Sequence, residues 1–315
     1  MRTLVQPCWR KNISAKREIR SDSDSVAGTK ERAQRRKVVF SEAVDAIPVT
    51  LVTVHKPTAG YRQLAMRLAL SLFRTLLTGV VGVGLTILFA PLVIIIARFN
   101  PRSPLIERLA WIWSKAWLLA AGSSIEIRGQ ENVDLGQTYV VVANHLSILD
   151  IMASFLAVPL PIRFLAKKEL FKVPILAPAM RSIGIVEVDR QARSAIHERV
   201  NQQARSLVEN GRSLIIYPEG TRARDGKLRP FKKGAFTMAV AGQIPILPVT
   251  IHGTYEAWPP GRRLVRGGKI TVVVDPPIPT LGRGKEDVTK LTDEARAVVA
   301  KRLEELAAEA TEGAT

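Results

Sequence analysis

Residues 138–150, TYVVVANHLSILD, indicate how this chain folds. The run Thr138–Ala143 is apolar and rich in β-branched valine, which is typical of a strand buried on both faces. A second apolar run, Ile151–Ala157, follows directly after Asp150. The polar residues between the two runs therefore lie in a strand-to-helix turn. Open α/β sheets place their sites at such turns, beyond the carboxyl ends of the strands.

The chain after Gly122 continues to alternate between short apolar strands and helical segments. The predicted strands are Ser124–Arg128, Thr138–Ala143, Ile162–Ala166, Gly184–Val188, Ser213–Tyr217, Ile246–Ile251 and Lys269–Val274. The predicted helices are Ala192–Glu209, Lys233–Ala241 and Leu291–Ala308, the last with Thr292, Asp293 and Glu294 in N-terminal positions. This alternation predicts an α/β domain over residues 123–315, with a largely parallel central sheet flanked by helices.

A membrane-associated helical segment is predicted before this domain, over residues 61–122. Residues 75–97 form a run of 23 residues without a charge, and a helix of that length spans roughly 34 Å, enough to cross a bilayer core. Glycines at 82 and 84 and Pro91 predict a break, and both flanks are basic, which favours a re-entrant hairpin over a single span. Residues 105–122 carry three tryptophans and suit either a membrane interface or a helix packed on the catalytic domain.

The charge balance points to an anionic partner. Lys and Arg total 46 against 28 Asp and Glu, a net charge of +18. An anionic phospholipid membrane and phosphorylated substrates both suit this surplus. Nucleic acid does not, because no zinc-finger or basic-zipper pattern accompanies the charge and aromatic residues make up only 6% of the chain. Residues 1–60 are predicted to be a basic, disordered extension, unless the start codon is assigned too far upstream.

Metal and thiol chemistry find little support in the sequence. Cys8 is the sole cysteine, so an intrachain disulfide and a thiolate metal cluster are excluded. No metal and no redox cofactor are predicted.

His145 and Asp150 form the first candidate site. A histidine at the end of a strand can accept a proton when a carboxylate holds its other ring nitrogen. Asp150, five residues on, can reach back to that nitrogen, and the substrate's own hydroxyl could then take the place of the serine in a Ser-His-Asp triad. A purely structural histidine is the alternative interpretation of this pair taken alone.

A second polar turn follows the strand that ends at Tyr217. It has the sequence Pro218-Glu219-Gly220-Thr221-Arg222. Gly220 lets the backbone approach a ligand closely, and the guanidinium of Arg222 can hold a phosphate through two hydrogen bonds. The basic residues beyond it, up to Lys233, are more typical of a solvated loop.

These motifs resemble those of the glycerophospholipid acyltransferases, most closely the 1-acyl-sn-glycerol-3-phosphate acyltransferase branch. His145 and Asp150 match the H-x-x-x-x-D signature, and residues 219–222 match E-G-T-R. Two further blocks, Phe164–Arg190 and Phe231–Val249, are similar to the family's second and fourth blocks and occur in the same order. The resemblance covers roughly residues 120–280.

The resemblance implies a role for each matched residue. His145 is expected to be the catalytic base and Asp150 its orienting partner. The acceptor phosphate is expected to contact Arg190, Glu219, Gly220, Thr221 and Arg222, with Lys167 in a supporting position. Glu187 departs from the family pattern just before Arg190.

The resemblance also implies a reaction and a location. An acyl chain is expected to pass from acyl-CoA or acyl carrier protein to the free hydroxyl of lysophosphatidic acid, giving phosphatidic acid. Another acceptor, a lyso-ornithine lipid or a lysophospholipid, and an inactive membrane-tethered lipid-binding protein are the alternatives. The catalytic domain is expected on the cytosolic face of a membrane, the inner membrane if the source is bacterial.

Overall fold

The computed structural model describes residues 59–188 and 210–312, together with Gln202, Ser206 and Val208. Three predictions lie outside the described residues: the disordered extension before residue 59, most of the helix Ala192–Glu209, and the position of Arg190.

The described chain begins with two long helices, α1 (Ala59–Phe99) and α2 (Pro104–Ala120). They pack against each other across a short turn at residues 100–103. The side chain of Ser103 caps α2 by accepting a hydrogen bond from Leu105 N, and Pro104 occupies the first helical position, where a missing N–H costs nothing. Residues of α2 also pack on the α/β domain. This contact agrees with the second interpretation of the segment, a helix packed on that domain.

The predicted break inside the apolar segment is wrong, because α1 runs through Gly82, Gly84 and Pro91 without interruption. Gly82 serves helix packing instead: the indole of Trp117 in α2 lies where a side chain at residue 82 would stand. The indole N–H of Trp113 donates to Thr86 Oγ1 over 3.0 Å, one turn further along α1. Small residues allow two helices to approach closely, and Gly82 allows this for α1 and α2.

A seven-stranded sheet forms the centre of the described residues. Its strands are β1 (Ser123–Arg128), β2 (Val140–Ala143), β3 (Ile162–Lys167), β4 (Val186–Val188), β5 (Ser213–Ile216), β6 (Ile246–His252) and β7 (Gly268–Val274). The order is β1-β7-β6-β2-β5-β3-β4. Every pair is parallel except β6–β7, which confirms the largely parallel sheet.

Helices cover both faces of the sheet and complete the predicted α/β architecture. They are α3 (Leu149–Ala157), α4 (Leu176–Ser182), α5 (Gly234–Gly242), the short α6 (Thr254–Ala257) and α7 (Val288–Glu312). In β2, Val141 and Ala143 face the cluster that contains α3, whereas Val140 and Val142 face the cluster that contains α5 and α7. Burial on both faces explains why this strand is apolar at every position.

The start of the last helix differs from the prediction. Helix α7 begins at Val288, so Thr292–Glu294 lie in its second turn rather than at its start. A short 3₁₀ turn at Lys285–Asp287 leads into the helix, and Asp287 Oδ2 accepts from Gly284 N over 2.9 Å. This carboxylate therefore satisfies a backbone N–H group at the true beginning of the helical segment.

Candidate active site

The turn between β2 and α3 brings His145 and Asp150 into direct contact. His145 Nδ1 lies 2.8 Å from Asp150 Oδ2, and the same oxygen accepts the backbone N–H groups of Leu146 and Ser147 over 2.7 and 2.8 Å. Asp150 is fully buried in the first turn of α3, where the helix dipole favours a negative charge. An ionised Asp150 accepts from Nδ1–H, which leaves Nε2 as the nitrogen that can take a proton.

Two hydrogen bonds from Asn144 hold this turn to the neighbouring strand β6. Its side-chain Nδ2 donates to Ile251 O and its Oδ1 accepts from Ile251 N, both over 2.8 Å. The buried amide thus continues the pairing of β2 with β6 by one residue beyond Ala143. On the far side of the turn, Ser147 Oγ donates to Trp258 O over 2.8 Å.

The imidazole of His145 stacks on the ring of Tyr217, at the end of β5. The ring centroids are 4.1 Å apart and the planes differ by 12°. The hydroxyl of Tyr217 lies 3.2 Å from Ser154 Oγ of α3. Burial raises the pKa of Tyr217 well above its ordinary value, and the nearby charge of Asp150 adds to this. Tyr217 is therefore a neutral phenol that limits the tilt of the histidine ring.

Glu219 joins the two polar turns. It is buried, its Oε1 accepts from His145 N over 2.6 Å, and its Oε2 accepts from Arg229 N over 3.0 Å. Burial raises the pKa of Glu219, while the two backbone hydrogen bonds oppose that shift. Because both oxygens already accept N–H groups and neither can donate to a phosphate, we interpret Glu219 as a positioning residue rather than a phosphate ligand.

The remaining matched residues lie around this link. Gly220 has a φ of 75°, in the left-handed region, and the side chain of Lys232 crosses it. Thr221 and Arg222 are exposed beside it, and among the described residues no carboxylate forms an ion pair with Arg222. Lys167 is exposed at the carboxyl end of β3, the neighbour of β5 in the sheet. Together they make this edge of the sheet cationic.

No group of three or more His, Cys, Asp or Glu side chains within the described residues is arranged to hold a metal ion.

Comparison with known proteins agrees with this geometry. A family model described as Acyltransferase matches residues 124–252, the stretch that includes both polar turns. The crystal structure of the 1-acyl-sn-glycerophosphate (LPA) acyltransferase PlsC from Thermotoga maritima is similar in fold, with a TM-score of 0.67 and 29% identity, over 77% of this chain and 98% of that one. Residues 124–252 of the chain thus contain an acyltransferase domain.

Curated relatives of this chain carry one function in their names. It is 36% identical over 181 residues to 1-acyl-sn-glycerol-3-phosphate acyltransferase BAT2, chloroplastic, of Brassica napus, covering 56% of this chain and 50% of that protein. It is 33% identical over 175 residues to the human 1-acyl-sn-glycerol-3-phosphate acyltransferase alpha, covering 56% of this chain and 62% of that protein. The chain thus spans about half to three fifths of the length of these relatives.

The sequence predicted where most of these residues lie but not the contacts that hold them together. Most of the predicted residues lie at the carboxyl edge of the parallel strands: His145, Asp150, Lys167, Gly220, Thr221 and Arg222. The hydrogen bonds that Glu219 accepts from backbone N–H groups lie at the same edge. No role was predicted for Asn144 or Tyr217, although both directly follow apolar strands. Lys232 was predicted to lie in a solvated loop. The two lysines directly before Gly234, at positions 232 and 233, were the sequence pattern that could have indicated its place in the site.

Proposed function

We propose that this acyltransferase moves an acyl chain from a thioester donor, acyl-CoA or acyl carrier protein, to the free hydroxyl of lysophosphatidic acid, giving phosphatidic acid. The observation that carries the proposal is the His145–Asp150 pair beside a cationic edge of the sheet. The names of the curated relatives support the same acceptor.

The reaction requires one proton to move twice. Nε2 of His145 takes the hydroxyl proton of the acceptor while the oxygen attacks the carbonyl carbon of the thioester, so that a C–O bond forms and the C–S bond breaks. The imidazolium then returns the proton to the departing thiolate. Asp150 stabilises the imidazolium in between, and general-base help of this kind contributes about 10²–10⁴ in rate.

The cations around Gly220 suit the phosphate of the acceptor. Arg222 presents a planar pair of donors, and Lys167 and Lys232 add point charges at the same edge of the sheet. Arg190 is proposed to join them, on the strength of the resemblance alone. A lyso-ornithine lipid offers these cations a carboxylate but no phosphate, which favours lysophosphatidic acid.

Helix α1 is proposed to bind the membrane. It is 41 residues long, and only 17% of its most apolar stretch is buried. The core helix of a soluble protein is mostly buried. Donors made in the cytosol require His145 on that side, so the catalytic domain is proposed to lie on the cytosolic face.

A panel of acceptors tests the proposal. Full-length protein in vesicles receives acyl-CoA or acyl carrier protein with lysophosphatidic acid, lysophosphatidylcholine or lyso-ornithine lipid, and products are measured by mass spectrometry. We expect phosphatidic acid to form fastest, and to be lost in His145→Ala. Faster turnover of lyso-ornithine lipid would reassign the acceptor, and no turnover with any acceptor would support a binding protein.

A further inference from the structure

A groove outside the active site lies between the first half of α1 and the loop at residues 259–266. Its volume is about 620 Å³, and five arginines line it: Arg67, Arg74, Arg262, Arg263 and Arg266. None of the residues assigned to the catalytic turns lines this groove.

The groove carries positive charge without an internal counter-ion. Among the residues that the structure describes, no carboxylate forms an ion pair with any of the five guanidinium groups. Within the described residues, the one hydrogen bond of these arginine side chains joins Arg74 to the backbone oxygen of Arg266. Like charges that line one groove repel each other, and a bound anion removes that cost.

The walls of the groove are held in place by backbone contacts. Thr75 Oγ1 of α1 accepts from Val265 N over 2.9 Å, and Arg266 N donates to Ala257 O over 2.8 Å. The loop is also tied to the catalytic turn, because Trp258 O accepts from Ser147 Oγ. The arginines of the loop therefore stand at a defined distance from those of α1.

Apolar side chains line the same groove, which sets the kind of anion. Leu64 and Leu68 are 66% and 50% exposed on α1, and Leu264 faces them from the loop. The exposed leucines continue along α1 through Leu72 and Leu76. No aromatic side chain of the described residues lines the groove, so this lining offers a nucleotide base no ring to stack on. The lining thus suits a phosphate attached to hydrocarbon rather than the nucleotide end of an acyl donor.

We propose that this groove binds one anionic phospholipid, with its phosphate on the arginines and an acyl chain along the leucines of α1. It is a second lipid site, separate from the one in which acyl transfer takes place. Occupancy would seat the 259–266 loop at the level of the phospholipid head groups, beside the catalytic turn that it contacts.

Lipid retention by the full-length protein tests this site. The protein is purified in a non-ionic detergent and mixed with dioleoyl phosphatidylglycerol or dioleoyl phosphatidylcholine, and bound lipid is counted by native mass spectrometry. The double variant Arg262→Gln/Arg263→Gln changes two exposed side chains that form no ion pair within the described residues, so the fold should persist. Its matched control is Lys285→Gln/Lys290→Gln, which removes the same charge from exposed positions near the start of α7.

We expect wild type to retain phosphatidylglycerol over phosphatidylcholine, and the arginine variant to bind phosphatidylglycerol about tenfold more weakly. The lysine control should stay within about twofold of wild type, and His145→Ala should bind normally even though it cannot transfer acyl chains. Equal retention of the two lipids by wild type would overturn the proposal. So would an equal loss in the lysine control, or displacement of the lipid by free coenzyme A, which would give the groove to the donor.

Discussion

Replacing Glu219 with glutamine tests whether this carboxylate positions the base or contacts the substrate. In the structure its two oxygens accept from His145 N and Arg229 N. Glutamine has the same shape but offers one acceptor and one NH₂ donor. One of the two backbone N–H groups then faces another donor. Only one of the two hydrogen bonds made by this side chain remains.

The structure sets the size of the effect. A buried N–H left without an acceptor costs about 1–3 kcal/mol. Removing a buried charge offsets part of this, since burial raises the pKa of Glu219. We expect a net loss of about 1–2 kcal/mol in the free energy of unfolding, which a domain of ordinary stability survives. The larger effect is on rate, because a shift of about 1 Å in a catalytic group can cost on the order of 10²-fold.

Steady-state kinetics separates the two roles. We expect kcat of Glu219→Gln to fall by about 10–100-fold while the KM for lysophosphatidic acid changes by less than about twofold. Glu256→Gln, which removes an exposed carboxylate from α6, is the charge-matched control and should behave as wild type. An unchanged kcat with a KM raised tenfold would refute the positioning role and place Glu219 in contact with substrate.

Three further variants probe the site and its support. His145→Ala should abolish transfer in a folded, membrane-bound protein, and Asp150→Asn should lower kcat by about 10⁴ by analogy with serine proteases; normal turnover in either would sink the base assignment. Arg222→Lys keeps the charge but loses the planar fork, so the KM for lysophosphatidic acid should rise, whereas a rise for acyl-CoA would assign the residue to the donor. Glu107→Gln should lower the free energy of unfolding by about 2–4 kcal/mol, measured by urea denaturation, because the buried guanidinium of Arg163 loses a carboxylate at 2.8 Å.

The parallel sheet explains why its central strands could be predicted. A strand covered on both faces needs an apolar residue at nearly every position, so β2, β5 and β6 appear in the sequence as short apolar runs. Each run that leads to the site stops at a polar turn, at Asn144 after β2 and at Pro218 after β5. Position along the chain was therefore enough to place His145 and Arg222 at a sheet edge.

Contacts between distant parts of the chain could not be obtained in this way. The bond from His145 N to Glu219 joins residues 74 positions apart, and it exists because β5 lies beside β2. At Gly82 the sequence led to a wrong prediction, because a glycine within an apolar run suggests a break in the helix. The structure shows instead that the indole of Trp117 fills the space beside this glycine. In both cases the deciding neighbour comes from another element of the fold.

The order of the strands itself accounts for how rigidly the base is held. Strand β2 has β6 on one side and β5 on the other. From β6, the main chain of Ile251 holds Asn144, directly before the histidine; from the end of β5, Tyr217 packs on the imidazole and Glu219 binds its backbone N–H. Helix α3 supplies Asp150 to Nδ1 from a third direction. A base supported from three elements loses little entropy on reaching the transition state, which is what general-base catalysis by a single histidine requires.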